Sequence, residues 1–429
     1  MKTLSSIVLA LALVAVAQPR SRADQAAHAA SSAPSLSAER LARIDAVLQQ
    51  YVDENRLAGA VALVLRDGQT AYERAVGWSD KEAGRRMAPN TIFRIASQTK
   101  AITSVAVLAL MEEGKLSLTD PVSRYIPSFA NSKVALRSDA SPAAPEIVPA
   151  KRPITIRDLL THTAGISYGT DRQVAALYEA KGLGPAAGFG WFTADKDEPI
   201  CDTMERLGTL PFVAQPGDAW VYGYNTDILG CVVERASGTA LDQFVRARIT
   251  GPLRMKDTQF FLPPDQRDRL AAVYSIGSDG KIVRAPDGPR GQGTYVDGPR
   301  RSFAGGAGLL STARDYARFL EMIRKGGALD GVRILAPRTV ALMTTNQVGT
   351  LHSPTGLGFG LGFETTDRFG ANGLDSEGSF GWSGAYSTTY RVDPDAHLVL
   401  VLMIQVLPNA TDIGRKFPTL VYQALIDNM

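Results

Sequence analysis

Leu41, Ile44, Val47 and Leu48 recur at helical spacing in residues 37–51, which predicts an amphipathic first helix. Residues 58–65 form a nearly unbroken apolar run. Asp67-Gly68 then turns the chain, and residues 69–78 run back, a predicted hairpin. A second hairpin is predicted late in the chain, where residues 384–392 and 397–406 are joined by Asp393-Pro394-Asp395-Ala396, and a last helix covers about 413–426. Between these ends the pattern is mostly helical. Residues 101–111 are apolar nearly all round, as a helix inside a domain is, and Gly114 stands where a helix end favours positive φ. Further helices are expected at 154–165, 202–213, 226–236, 241–249 and 311–323, where Thr312 and Asp315 form a capping-box pattern. Residues 137–151 read as an exposed loop, 167–200 as a Gly-rich loop with Phe189, Trp191 and Phe192, and 256–304 as short strands and turns. Strands at both ends and helices between them predict an α+β fold: an antiparallel sheet flanked by helices, plus an inserted mostly helical domain. The expected limits are 37–105 and 305–429 for the α/β domain and 106–304 for the insertion.

The beginning of the chain is outside this pattern. Lys2 precedes an apolar run, 7–17, too short to span a bilayer, and Ala15-Val16-Ala17 and Ser21-Arg22-Ala23 offer cleavage sites. Residues 1–23 read as a secretory signal peptide and 24–36 as a disordered leader, which implies a periplasmic or secreted protein with no stable membrane span after cleavage. The 429 residues are 45% hydrophobic, enough for a sizeable core, and a net charge of +3 with interspersed signs gives no electrostatic basis for a nucleic-acid partner. Cys201 and Cys231 either pair in an oxidising compartment or stay as two core thiols. His28, His162, His352 and His397 show no metal-ligand spacing, so neither metal nor cofactor is expected.

The chemistry centres on Ser97-Gln98-Thr99-Lys100, at the start of the buried helix. In the first turn, Ser97 shares a face with Lys100, whose amine can take the hydroxyl proton, and free N–H groups at a helix start favour negative charge. A second Ser-x-x-Lys, Ser278-Asp279-Gly280-Lys281, contains Asp-Gly between β-like runs and reads as a hairpin turn. Gly165-Ile166-Ser167-Tyr168-Gly169 spells a nucleophile elbow, but a helical segment precedes it and a Gly-rich loop follows. Gly381-Trp382-Ser383-Gly384-Ala385 is a near miss of the same type. Gly358-Phe359-Gly360-Leu361-Gly362 lacks the βαβ context of a nucleotide loop and reads as turns between strands.

Four passages in order resemble the serine β-lactamase and penicillin-binding-protein superfamily, its class C-like branch, and within it the family VIII carboxylesterases. They are Ser97-Gln98-Thr99-Lys100; residues 154–165; Pro216-Gly217 with Trp220-Val221-Tyr222 and Asp227-Ile228-Leu229-Gly230; and Gly381-Trp382-Ser383-Gly384. The likeness runs from about residue 38 to the end. It implies the β-lactamase/transpeptidase-like fold, with Ser97 as nucleophile, Lys100 relaying its proton, and Tyr222 as base and later acid. The backbone N–H groups of Ser97 and Ala385 would form the oxyanion hole, and Trp382, Ser383 and Gly384 would line the substrate site. The chain departs from the family twice. Tyr222-Gly223-Tyr224-Asn225 is one residue out of step with the family's Tyr-x-Asn, so that either Tyr224 or Asn225 fills the Asn place. Trp382 replaces the lysine that sits near the substrate carboxylate in lactamases, which implies neutral, short-chain acyl esters as substrates. The alternatives are a β-lactamase or D-Ala-D-Ala carboxypeptidase using the same serine, and a non-catalytic peptidoglycan-binding relative.

Overall fold

Strand β1 (Gly59–Arg66) is buried along its whole length, which is why it reads as a continuous apolar run. The computed structural model describes residues 36–136, 145–184 and 195–426. The expected signal peptide, nearly all of the leader, part of the 137–151 loop, and Phe189, Trp191 and Phe192 lie outside the described residues. Asp67 and Gly68, both at positive φ (52° and 79°), return the chain as β2 (Gln69–Asp80), followed by β3 (Arg85–Arg86). The other strands come from the end of the sequence: β4 (Leu357–Phe359), β5 (Glu364–Thr366), β6 (Phe380–Ser383), β7 (Thr389–Asp393) and β8 (Leu398–Met403). They form one antiparallel eight-stranded sheet in the order β4-β5-β6-β7-β8-β1-β2-β3. Its central joint pairs β1 with β8, from Val61 opposite Met403 to Arg66 opposite Leu398.

Seven helices matter here: α1 (Ala38–Asp53), α2 (Thr99–Glu112), α3 (Ile156–Leu160), α4 (Ile200–Gly208), α5 (Asn225–Ser237), α6 (Ala313–Arg324) and α7 (Ile413–Tyr422). The two-residue strand period divides β1 between two cores. Ala60, Ala62 and Val64 join Leu41, Ile44 and Leu48 of α1 and Phe417 and Val421 of α7. Val61, Leu63 and Leu65 face the other way, toward α2 and α6. Twelve of the 14 residues of α2 are buried, as its all-round apolarity requires. It packs on α5 beside the loop at Gly305, where a Cβ would come within 3.2 Å of both Gly230 Cα and Thr103 Cγ2. Among the described residues, no helix is long and apolar enough to cross a membrane.

Several elements differ from expectation, each for a local reason. The run 384–392 is not one strand: Ser387 at φ 69° turns the chain, so β6 and β7 form a hairpin before that of β7 and β8. Helix α4 starts at Ile200 and ends at Gly208, and Pro211–Phe212 becomes a short strand parallel to Lys133-Val134. The 154–165 passage is helical only over α3, started by a complete Thr155/Asp158 capping box. Helix α6 keeps half of its predicted box: Thr312 Oγ1 accepts from Asp315 N, while the Asp315 carboxylate accepts from Asp257 N and Thr258 Oγ1. Cys201 and Cys231 are joined in a disulfide, clipping α4 to α5.

Candidate active site

Ser97 occupies a single 3-10 turn, Ala96–Gln98, just ahead of α2 rather than inside its first turn. The residue before it, Ala96, is fully buried at φ 47°, a left-handed conformation that costs an alanine about 1 kcal/mol or more. Backbone strain is therefore held beside the candidate nucleophile by the packing around it.

Lys100 lies one turn on, and its exposure is only 2%, so its amine must be satisfied from within. Nζ donates to Gly306 O at 2.7 Å and to Tyr168 Oη at 3.0 Å, and stands 3.3 Å from Ser97 Oγ. Gly306 is held in turn, since its N–H donates to Asp227 Oδ1 at 3.2 Å; a Cβ there would lie 2.3 Å from Asp227 Oδ2. The main acceptor for the lysine is thus a main-chain carbonyl, fixed from α5.

Tyr222 belongs to a loop laid against residues 162–169. Gly217 N donates to Thr163 O and Val221 N to His162 O, both at 2.8 Å. Gly223 permits the closest approach, because a Cβ would meet Ile166 O at 2.3 Å. The Tyr222 ring stacks on Trp220 at 14° between planes, has His162 4.9 Å from its centre, and carries Lys100 Nζ 4.7 Å above it. Trp382 Nε1 donates to Tyr222 Oη at 3.3 Å.

His162 anchors this loop, as its carbonyl bond shows, and it also underlies the candidate catalytic tyrosine. Burial, with Lys100 and His352 adding to it, pushes its pKa well below the usual histidine range, so the ring is neutral. Its Nδ1 accepts from Asn225 Nδ2 at 2.9 Å, which puts the ring proton on Nε2.

Tyr224 and Asn225 are both fully buried. Tyr224 Oη accepts from Gly184 N at 3.1 Å, and the Asn225 amide also donates to Ile166 O and Val221 O. The side chain that this wall offers to Lys100 is Tyr168, which the sequence reading passed over inside the Gly-x-Ser-x-Gly look-alike. Burial, with Tyr222 and Asp227 beside it, pushes Tyr168 well above the ordinary tyrosine range, so it remains a neutral hydroxyl, hydrogen-bonded to Tyr222. Its neighbour Ser167 is a loop residue whose Oγ accepts from Gly169 N.

On the strand side, Trp382 faces Trp220, Tyr222, His352 and Phe359, with ring centres 5.4–6.4 Å away. The alternation of β6 turns Ser383 to the other face, beside Thr389 and Arg391 in a cavity of about 150 Å³ under α7. Gly384 is pressed against the turn before Ser97: a Cβ would come within 2.4 Å of Ile95 O. This brings Ala385 beside the buried pair Ala96 and Tyr386. The site as a whole joins a serine, an amine, two tyrosine hydroxyls and an aromatic wall, the equipment of covalent acyl chemistry.

A family profile described as Beta-lactamase matches residues 44–421. The chain belongs to the beta-lactamase family. It is 37% identical over 384 residues to an uncharacterized protein of Mycobacterium tuberculosis (strain CDC 1551 / Oshkosh), covering 85% of this chain and 90% of that one. It is 35% identical over 379 residues to Esterase EstB of Burkholderia gladioli, covering 84% and 89%. Among solved structures, EstCE1, titled a hydrolase with promiscuous acyltransferase activity, superposes with a TM-score of 0.75 at 27% identity, covering 90% of this chain and 98% of that one. This beta-lactamase-family member is a serine hydrolase of the esterase-like branch.

Proposed function

We propose that the protein is a carboxylesterase that cleaves short-chain acyl esters through an acyl-enzyme on Ser97. The observation that carries this reading is Trp382, bonded to Tyr222 and packed among aromatic rings where a lactamase holds a lysine for the substrate carboxylate. An apolar wall favours a neutral acyl ester over a charged one. Lys100 Nζ takes the proton from Ser97 Oγ as the oxygen attacks the ester carbonyl, and the backbone N–H groups of Ser97 and Ala385 hold the oxyanion. The proton passes through the Lys100, Tyr168 and Tyr222 contacts to the departing alkoxide, and water then releases the acid by the reverse route. Export is part of the proposal, supported by the Cys201–Cys231 disulfide, a bond that persists in oxidising compartments.

Paired turnover of p-nitrophenyl butyrate and nitrocefin tests it. Fast ester hydrolysis, weak nitrocefin turnover and an inactive Ser97→Ala variant are expected. Dominant nitrocefin turnover would assign a β-lactamase instead, and no turnover of either substrate with no labelling by an activated phosphonate would assign a non-catalytic relative.

A further inference from the structure

Arg94, three residues before Ser97, is an electrostatic anomaly. It is 3% exposed, yet among the described residues no carboxylate pairs with it. Its guanidinium is bound by neutral oxygens: Nη1 donates to Ala271 O at 2.6 Å and Nε to Gln292 O at 2.9 Å, with Nη2 also on Gln292 O and Gln405 Oε1 at 3.4 Å from Nη1. The Tyr295 ring lies 5.5 Å away. A buried cation without an anion is costly, and a well-packed apolar side chain serves stability better.

Its contacts converge on the two candidate oxyanion donors. Gln405, just past β8, pairs its side-chain amide with the Arg94 main chain, accepting from Arg94 N and donating to Arg94 O, both at 3.1 Å. The segment before Ser97 is thereby tied to the sheet. The guanidinium meanwhile fastens a separate loop through Ala271 and Gln292. The Gln292 side chain continues the clamp, accepting from Val273 N and donating to Val273 O and Ala285 O at 2.9–3.0 Å. Val273 and Ala285 are thus presented to Ala96 and Tyr386, and these four form one buried cluster with Ala385 at its edge. Ala96 immediately precedes Ser97, in a strained conformation, and Tyr386 immediately follows Ala385.

We propose that Arg94 is a positioning residue for the oxyanion hole: its buried guanidinium fastens the 271–292 loop against Ala96 and Tyr386 and so sets the spacing of the Ser97 and Ala385 N–H groups. This rests on the acyl-enzyme reading above. The guanidinium suits the task because its planar, fixed donors bind several carbonyls at once, which a lysine cannot reproduce.

The experiment compares wild type with Arg94→Met, Arg94→Lys and Gln292→Ala. Labelling with a fluorophosphonate counts intact sites, after which kcat and KM for p-nitrophenyl butyrate are expressed per labelled site. Phenylboronic acid, which bonds to the serine as a charged tetrahedral adduct, reads the hole directly. Expected for Arg94→Met is a fall in kcat per site of about 10- to 100-fold, KM within about 3-fold, and a boronate Ki that rises in parallel. Arg94→Lys is expected to recover little, and Gln292→Ala, which keeps the guanidinium bonds, to lose about 3- to 10-fold. Wild-type kcat per site and wild-type boronate affinity in Arg94→Met overturn the proposal even if the variant melts earlier. Should Arg94→Met fail to fold, wild-type values in Gln292→Ala overturn it equally. A wild-type enzyme that is neither labelled nor active overturns the acyl-enzyme reading itself, and this one with it.

Discussion

Ser-x-x-Lys occurs twice in this chain, with opposite surroundings. Ser278 to Lys281 are exposed in the turn between strands Tyr274–Ile276 and Ile282–Arg284, where Gly277 N donates to Lys281 O and Lys281 N to Asp279 Oδ1. Those bonds serve the turn. In Ser97 to Lys100 the same letters open a buried helix, and the amine is held by a carbonyl and a phenol beside the serine. Water screens an exposed amine and leaves it free to rotate, whereas a buried one keeps a single geometry and a stronger field. Spacing alone brings the two groups within reach; burial with fixed partners makes the proximity useful.

Five substitutions break or sharpen this contrast. The largest effect is expected for Ser97→Ala, which should lower kcat/KM for p-nitrophenyl butyrate by at least about 10³-fold, while Ser278→Ala stays within about 2-fold of wild type. Lys100→Met should cost about 10²- to 10⁴-fold in kcat, and Lys281→Met nothing measurable in the same steady-state assay. Gly306→Ala alters none of the candidate catalytic side chains but forces a Cβ against Asp227, shifting the carbonyl that holds Lys100. It should lower kcat about 10-fold and destabilise by about 1–3 kcal/mol in urea unfolding; unchanged kcat would show that the amine does not depend on this carbonyl.

The smallest effect concerns stability alone and turns on a buried acid. Burial pushes Asp315 up to about 6, whereas the unfolded chain releases this proton near pH 4. The folded state therefore holds the proton more tightly, and stability should decline as pH rises from about 4 to about 6, then level off. The decline from this group is on the order of 2 kcal/mol. Asp375, pushed to about 6 mainly by burial, adds a separate share. Urea unfolding at pH 4.5 and pH 7 should show a smaller difference in Asp315→Asn than in wild type.

The elements most legible in the sequence are those whose burial is carried by their own residues. The sheet centre is one, because β1 is apolar from Gly59 to Leu65 and β8 throughout, and α2 is another, because twelve of its 14 residues are buried. The short strands β4 and β5 were visible only as glycine turns, since each is three residues long. At the site, Ser97, Lys100 and Tyr222 stood out through spacing and family likeness. Tyr168 did not, because its role comes from two loops laid side by side, and one residue of register at Tyr224 and Asn225 hides which tyrosine meets the lysine. Gly306 and Arg94 were invisible for a related reason. One acts through its carbonyl and the other through neutral oxygens far along the chain.

The β1–β8 joint has a consequence for how the chain is made. A ribosome delivers β1, which ends at Arg66, long before its partner at residues 398–403. Until β8 is made, one edge of a strand that is apolar from Gly59 to Leu65 has no neighbour, and contacts of such sequence separation form slowly. A premature stop anywhere before β8 would leave that edge permanently open, so truncated products should aggregate rather than survive as smaller folded pieces. Only when residues 398–403 have been made is the apolar edge of β1 closed, so the sheet reaches its full width late, through a strand far from β1 in sequence.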